Sequence, residues 1–252
     1  MNIEWEAGTY AEKFSFVPRY GEALLDLLDP PPDAPVIDLG CGDGALTARI
    51  MEKGYGVIGV DASPAMLERA RVRCPGARFI LADALDYSAH GTAGAVFSNA
   101  VFHWIDEKDQ GRLLANIADS LRPGGQLVCE FGGKGNAEAV HAALEQSFER
   151  RGLIYRRTFF FPDMIDYGRL LAGAGLAAAY AALFPRWTKV TCVEDWIRMF
   201  VKAPFEGIEE GLKDEIIAEA QEACRPALFD GEGWHVDYVR LRIKAVKRLE
   251  QA

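Results

Sequence analysis

No run of 18 or more apolar residues occurs anywhere in the 252-residue chain, which excludes a conventional membrane-spanning helix. Met1-Asn2-Ile3-Glu4-Trp5 carries no signal-peptide pattern, so the expectation is a cytoplasmic protein without a membrane partner. Cysteine is scarce: Cys41, Cys74, Cys129, Cys192 and Cys224 are odd in number, scattered and without C-x-x-C spacing. That pattern argues against a disulfide framework and against a metal site, and reads as reduced packing residues. Positive charge is also short, with 28 Lys and Arg against 37 Asp and Glu and a net charge of −9. Such a balance disfavours sequence-independent binding to a phosphate backbone, so no nucleic-acid partner is expected. There is no internal repeat, linker or low-complexity tract to mark a second independent domain. What is present, 50% apolar and 26% charged residues, is the composition of a soluble globular enzyme long enough for a substantial core.

Glycine, by contrast, is concentrated where it matters. Val36-Ile37-Asp38-Leu39 is an apolar run broken by an acid, and Gly40-Cys41-Gly42-Asp43-Gly44 follows before the helical stretch Ala45 to Met51. A strand, a glycine turn and a helix start let backbone approach a ligand closely. Gly40, Gly42 and Ala45 also satisfy the loose dinucleotide pattern, which is weak evidence alone. Gly54 suits a helix C-cap, and a second apolar run, Gly56 to Val60, ends at Asp61. An acid about 20 residues beyond the first glycine is where a ribose hydroxyl pair is held. Asp61-Ala62-Ser63-Pro64 reads equally as a helix start with Ser63 as cap, and the two roles are compatible. Further strands are expected at 77–81, ending in Ala82-Asp83-Ala84, at 95–97, ending in Ser98-Asn99-Ala100, and at 126–131 after Leu121-Arg122-Pro123-Gly124-Gly125.

These four motifs, in this order and spacing, resemble those of class I S-adenosylmethionine-dependent methyltransferases, over roughly residues 30 to 131. Phe14 to Gly21, Ser98 to Ile105 and Glu130-Phe131-Gly132-Gly133 are similar to the trans-aconitate methyltransferase-like branch. The resemblance implies an α/β, Rossmann-like fold: a seven-stranded, mostly parallel sheet with helices on both faces. It also implies an antiparallel C-terminal hairpin, an N-terminal lid and a helical cap insertion. One domain over 1–252 is expected, with lid and first helix at 1–29, donor-binding core at 30–150, and cap insertion with closing strands at 151–252. The expected cofactor is S-adenosyl-L-methionine, with S-adenosyl-L-homocysteine as product.

Carried over residue by residue, the resemblance places Asp38 at the methionine part of the donor. Gly40, Cys41 and Gly42 bring backbone close to it. Asp61 and Ala62 lie at the ribose, with Asp61 accepting from both hydroxyls. Met66 packs on the adenine or in the core, and Asp83 and Ala84 meet the adenine edge. Asn99 and Ala100 sit at the fourth strand tip, where reacting groups converge. Asn99 is followed by Ala100-Val101 and not by Pro-Pro, so the pattern of nucleobase amino-methylating enzymes is missing. His103 is the one histidine of four at a strand tip, and is the candidate general base. A carboxylate acceptor needs no base, and His103 would then orient it or donate to it. Tyr10 and Phe16 are the candidate lid residues, and Trp104, Gly132 and Gly133 the candidate substrate contacts, with Lys134 or His141 nearby.

Downstream the pattern loosens. Pro18 starts a helix whose buried face is Leu24, Leu25, Leu27 and Leu28; Asn136 caps a helix to about 150; Asp163 caps one through Leu171. Leu176 to Phe184 is strand-compatible, 192 to 228 helical, and Tyr238 to Ala245 alternates as a half-buried edge strand. Arg156, Arg157, Arg186, Lys189 and Arg198 could hold acceptor carboxylates. The leading expectation is a methyltransferase for a small-molecule acceptor at a carboxylate oxygen, as monomer or homodimer. Methylation of carbon or nitrogen in a quinone, acyl-carrier or other metabolite stays open. So does a non-catalytic protein that only binds the donor.

Overall fold

The structure, a computed structural model, describes residues 22–31 and 33–249. Tyr10 and Phe16, and with them the expected lid, lie outside the described residues, as does the start of the helix expected from Pro18. From Glu22 to Leu27 the chain forms a 3-10 helix, with Leu24, Leu25 and Leu28 buried.

Seven strands form one sheet: β1 (Val36–Leu39), β2 (Val57–Asp61), β3 (Arg78–Leu81), β4 (Ala93–Asn99), β5 (Leu121–Gly132), β6 (Leu176–Val190) and β7 (Trp234–Lys247). Their order is β3-β2-β1-β4-β5-β7-β6. The first five are parallel, and β7 runs antiparallel to both β5 and β6. This is the Rossmann-like, mostly parallel sheet that the motif order implies. The chain leaves β1 towards β2 and β3, then returns to place β4 on the other side of β1. The reversal is a switch point in the strand order, and outside the carboxyl ends of the strands at such a point open α/β sheets hold ligands.

Helices α1 (Ala45–Glu52), α2 (Pro64–Arg73), α3 (Gln110–Ser120), α4 (Glu138–Glu149), α5 (Met164–Gly173), α6 (Val193–Phe200) and α7 (Glu210–Leu228) cover both faces. Successive side chains of a strand point to opposite faces. Ile37, Val96 and Leu127 therefore pack with Leu113, Ile117, Tyr167 and Leu171 of α3 and α5. Val36, Phe97 and Val128 pack on the other face with Leu24, Leu46 and Ile50. A second block on that face joins Val140, Leu144, Trp196, Ile197, Ile216 and Ile217 of α4, α6 and α7 to Trp234 and Val236 of β7. Central β1 is buried along its whole length, as a parallel strand covered on both sides must be.

Local capping follows the sequence at two helices. Ser63 accepts from Met66 N–H with Pro64 in the first turn of α2, and Asp163 accepts from Ile165 and Asp166 N–H at α5. Asn136 differs. Helix α4 begins at Glu138 with Ala137 in the left-handed region (φ 54°), and Asn136 Oδ1 accepts instead from Val239 N–H at 3.1 Å. The cap comes from β7, where Asp237 Oδ2 accepts from Ala139 N–H at 3.0 Å. The expected edge strand is also corrected. β7 extends well beyond 238–245 and lies between β5 and β6, while β6 is the edge and carries Pro185. The alternation of charge in β7 is real, but its arginines are turned into a buried carboxylate and not into water.

Candidate functional site

The glycine turn after β1 is built for close approach. Gly40 has φ +75°, and a Cβ on it would lie 2.2 Å from Val101 Cγ2, so only glycine fits where the β1 and β4 tips meet. Its N–H and that of Cys41 donate to Val60 C=O at 2.7 and 3.1 Å, pinning the turn to β2. Cys41 is buried, and burial pushes its thiol far above the ordinary range. Above Gly42 the space is open, with nothing within 4 Å of an added Cβ.

Two carboxylates flank this turn. Asp38 is buried, accepts from the Thr47 hydroxyl at 2.6 Å, and is pushed up to about 7, chiefly by burial and further by the charge of Asp61. Asp61 accepts on both oxygens, Oδ2 from Gly42 N–H at 2.9 Å and Oδ1 from Ser63 N–H at 2.8 Å. It therefore ties the loop after β1 to the loop after β2, and burial raises it despite those bonds. Ala82 N–H donates to Asp61 C=O, bringing in the loop after β3, where Asp83 Oδ1 accepts from Leu85 N–H. Ala62, Asp83 and Ala84 are half-buried, and Met66 is buried at the start of α2. The three loops thus form one contiguous, negatively charged rim over β1, β2 and β3.

The β4 tip is strained. Ala100 holds φ +61°, a region unfavourable for a residue with a Cβ, and is clamped by its N–H on Glu130 C=O (2.7 Å) and by Trp104 Nε1 on its own C=O (3.1 Å). The neighbouring Asn99 has a buried Oδ1 with no hydrogen-bond partner among the described residues. Beyond it, Phe102, His103 and Trp104 form a 3-10 turn. His103 is 7% exposed, and its Nδ1 accepts from Gly132 N–H at 3.2 Å. Burial first, and then the charge of Arg240, hold its pKa well below the ordinary histidine value. The ring is neutral, and with Nδ1 taken by a backbone donor the assigned proton sits on Nε2.

Across β5 the sign of the charge changes. Glu130 is fully buried and faces three guanidiniums. Arg186 donates through Nη1 at 2.5 Å and Nη2 at 3.1 Å, and Arg242 through Nε at 2.8 Å. Arg240 Nε lies 3.5 Å from Glu130 Oε1 without forming a hydrogen bond. Burial opposes ionisation of Glu130, but the Arg186 hydrogen bonds and the Arg240 charge outweigh it and hold the carboxyl below its ordinary value. Among the described residues this cluster brings three guanidiniums to one carboxylate, Arg240 buried and Arg186 and Arg242 half-buried. Antiparallel register puts Glu130 opposite Arg242 and Gly132 opposite Arg240, while Glu130 pairs with Asn99 on the other side. The cluster therefore adjoins the β4 tip and His103.

Other expected contacts fall elsewhere. Gly132 and Gly133 do not open a rim: an added Cβ would lie 2.5 Å from the Phe161 ring and 2.4 Å from Leu183 Cδ1, so neighbouring side chains already occupy that room. Lys134 pairs with Asp163, and His141 is buried with its Nδ1 2.7 Å from the Tyr155 hydroxyl. Arg157 is held by Glu138 and Glu145, and Arg198 by Asp214. Arg156 and Lys189 are exposed, so of the five cations proposed from sequence only Arg186 joins the buried cluster. Trp104 lines a cleft of about 380 Å³ with Phe159, Phe200, Arg156 and Lys202. Sequence reasoning missed Arg240, Arg242 and the role of Glu130; the charge alternation in β7 was their only signal. Among the described residues no cluster of His, Cys, Asp or Glu could hold a metal, and no helix is long and apolar enough to cross a membrane.

Residues 36–125 match a family model described as a methyltransferase domain. The uncharacterised methyltransferase C70.08c of Schizosaccharomyces pombe is 30% identical, the alignment covering 96% of this chain and 98% of that protein. A trans-aconitate 2-methyltransferase of Sinorhizobium fredii is 32% identical over 97% of this chain and 99% of its own length. The same fold occurs in the crystal structure of geranyl diphosphate C-methyltransferase from Streptomyces coelicolor, bound to Mg2+, geranyl diphosphate and S-adenosyl-L-homocysteine. Its TM-score is 0.56 at 18% identity, covering 91% of this chain and 77% of that one. The motif order, the sheet with its β1/β4 switch point and the full-length relatives place this chain in the class I S-adenosylmethionine-dependent methyltransferases, in the branch of its trans-aconitate methyltransferase relatives.

Proposed function

We propose that the protein methylates a carboxylate oxygen of a small polycarboxylic acid. The observation that carries this reading is the gathering of three guanidiniums, of Arg186, Arg240 and Arg242, on the buried Glu130 beside the β4 tip. The trans-aconitate 2-methyltransferase relative supports the same acceptor class. When bound, S-adenosylmethionine supplies a methyl group on an already activated sulfonium, so the protein's work is positioning and exclusion of water.

The residues fit that donor. Open space above Gly42 admits it, and each Asp61 oxygen, having accepted one backbone N–H, keeps a lone pair for a ribose hydroxyl. Asp38 would face its methionine part, Asp83 and Ala84 its adenine edge, and Met66 would contribute from α2. The acidic rim attracts a cationic donor and the basic cluster an anionic acceptor, and the two meet where β4 ends. On the acceptor side His103 presents an N–H and not a lone pair. It can donate to an ionised oxygen but is not set up to remove a proton, which suits a carboxylate that needs no base. Asn99 and Ala100 lie between the two halves, with Trp104 as a flanking wall.

A pH dependence follows from Asp38. The donor's ammonium pairs with the ionised carboxylate, and the donor-free protein releases that proton only near pH 7. Affinity for S-adenosylhomocysteine should therefore rise about tenfold from pH 6 to 8, and Asp38→Asn should flatten the rise while weakening binding. Stability of the donor-free protein runs the other way. Between the ordinary carboxylate range and pH 7 the folded chain keeps a proton that the unfolded chain has lost, so stability falls as pH rises through that window. Calorimetric titration across pH checks the first, and a flat profile in the wild type would contradict the role of Asp38.

The acceptor reading is tested by incubating the protein with labelled S-adenosylmethionine and trans-aconitate, followed by mild alkali. Alkali-labile volatile label is expected, because a carboxyl methyl ester hydrolyses to methanol. Label that survives alkali would mean carbon, nitrogen or ether methylation and would end this reading.

A further inference from the structure

We propose that Arg240 is the acceptor-binding residue, its guanidinium holding a carboxylate of the acceptor that is not methylated. The inference rests on the carboxylate reading above and assigns its specificity to one side chain. Three arginines surround Glu130, but they are not equivalent. Arg186 and Arg242 direct their N–H groups at its two oxygens, with bonds of 2.5, 3.1 and 2.8 Å. Arg240 is 7% exposed, and among the described residues its Nε finds no hydrogen-bond partner at good geometry. It lies 3.5 Å from the Glu130 carboxylate and 5.7 Å from the centre of the Tyr238 ring.

A buried guanidinium nitrogen without a well-formed hydrogen bond is costly, and a planar fork is matched by a carboxylate. The position of Arg240 says which carboxylate. It stands in register with Gly132, whose N–H fixes His103 at the β4 tip. Arg240 and the His103 Nε2–H therefore offer donors to one neighbourhood, the first to an anchoring carboxylate, the second to the one that accepts the methyl group. Glu130 acts as a positioning residue. By occupying Arg186 and Arg242 it leaves Arg240 as the member of the cluster open to a ligand. An acid with a single carboxylate could fill only one of the two places.

The test loads the protein with S-adenosylhomocysteine and titrates it calorimetrically with tricarballylate and with butyrate, which carry three carboxylates and one. Wild type should bind tricarballylate at least about tenfold more tightly than butyrate. Arg240→Gln should bring the two close to parity while leaving S-adenosylhomocysteine affinity within about twofold, and Arg240→Lys, which keeps the charge but not the fork, should retain part of the preference. A merely structural Arg240 would weaken all ligands together. A preference that persists in Arg240→Gln, or is absent from wild type, overturns the assignment; if Arg240→Gln does not fold, an undiminished preference in Arg240→Lys does so. Ester label in the transfer assay with the preference intact in Arg240→Gln would remove Arg240 alone. An Arg240-dependent preference with alkali-stable label would instead remove the ester reading.

Discussion

Glu130→Gln should destabilise the protein by about 3–5 kcal/mol, the typical cost of removing one partner from a buried ion pair. The substitution is nearly isosteric, so the loss is electrostatic. Glu130 is fully buried and accepts from Arg186 and Arg242, with Arg240 alongside. A neutral amide leaves three guanidiniums repelling one another, and its NH2 must point at a donor. Urea unfolding at pH 7 measures the effect as a fall in midpoint. Adding Arg242→Met to the variant takes away one stranded charge and should recover part of the loss, the coupling a double-mutant cycle detects. A Glu130→Gln protein as stable as wild type would mean that solvent or the acceptor cleft neutralises the cluster, and the anion-binding argument would lose its base.

That cluster also shows where sequence reading stops. Ser63 and Asp163 cap helices through bonds to residues two or three positions on, and Gly40 terminates the strand it follows. Signals this local survive in a linear pattern, and with the order of the acids at Asp38, Asp61 and Asp83 they made the sheet and its parallel half legible. The cap of α4 is different, because Asp237 reaches Ala139 from 98 residues away. Glu130 meets Arg242 across 112 residues. In sequence, Tyr238 to Ala245 alternates charged and apolar residues like a half-buried edge strand, and only pairing with both β5 and β6 reveals a strand inside the sheet whose arginines meet Glu130. Nor could composition tell Arg186, which is half-buried against Glu130, from Arg198, which pairs at the surface with Asp214. The proposed donor half of the site is built from consecutive loops and is readable. The proposed acceptor half is assembled from β4, β5, β6 and β7 and is not.

Asp61→Asn is the sharpest probe of the donor half, with an expected loss of about 100-fold in S-adenosylhomocysteine affinity. Both oxygens of Asp61 already accept backbone N–H groups, from Gly42 and Ser63. An asparagine has one acceptor and one NH2, so whichever way it turns, a donor faces a donor. One backbone N–H is then left unsatisfied at a cost of about 1–3 kcal/mol, and the turn can relieve it by moving Gly42 away from β2. The same movement spoils the donor cradle, and the lost carboxylate removes the proposed partner of the ribose hydroxyls, so the two effects reach affinity together. Calorimetric titration at pH 8, where Asp38 is ionised, isolates this loss from the titration of its neighbour. Asp61→Ala makes the comparison decisive. Alanine lacks the ribose contact and leaves both N–H groups without their acceptor, whereas asparagine keeps one, so Asp61→Ala is expected to be at least as damaging as Asp61→Asn. If asparagine binds the product nearly as well as aspartate, neither the turn nor the ribose depends on this carboxylate.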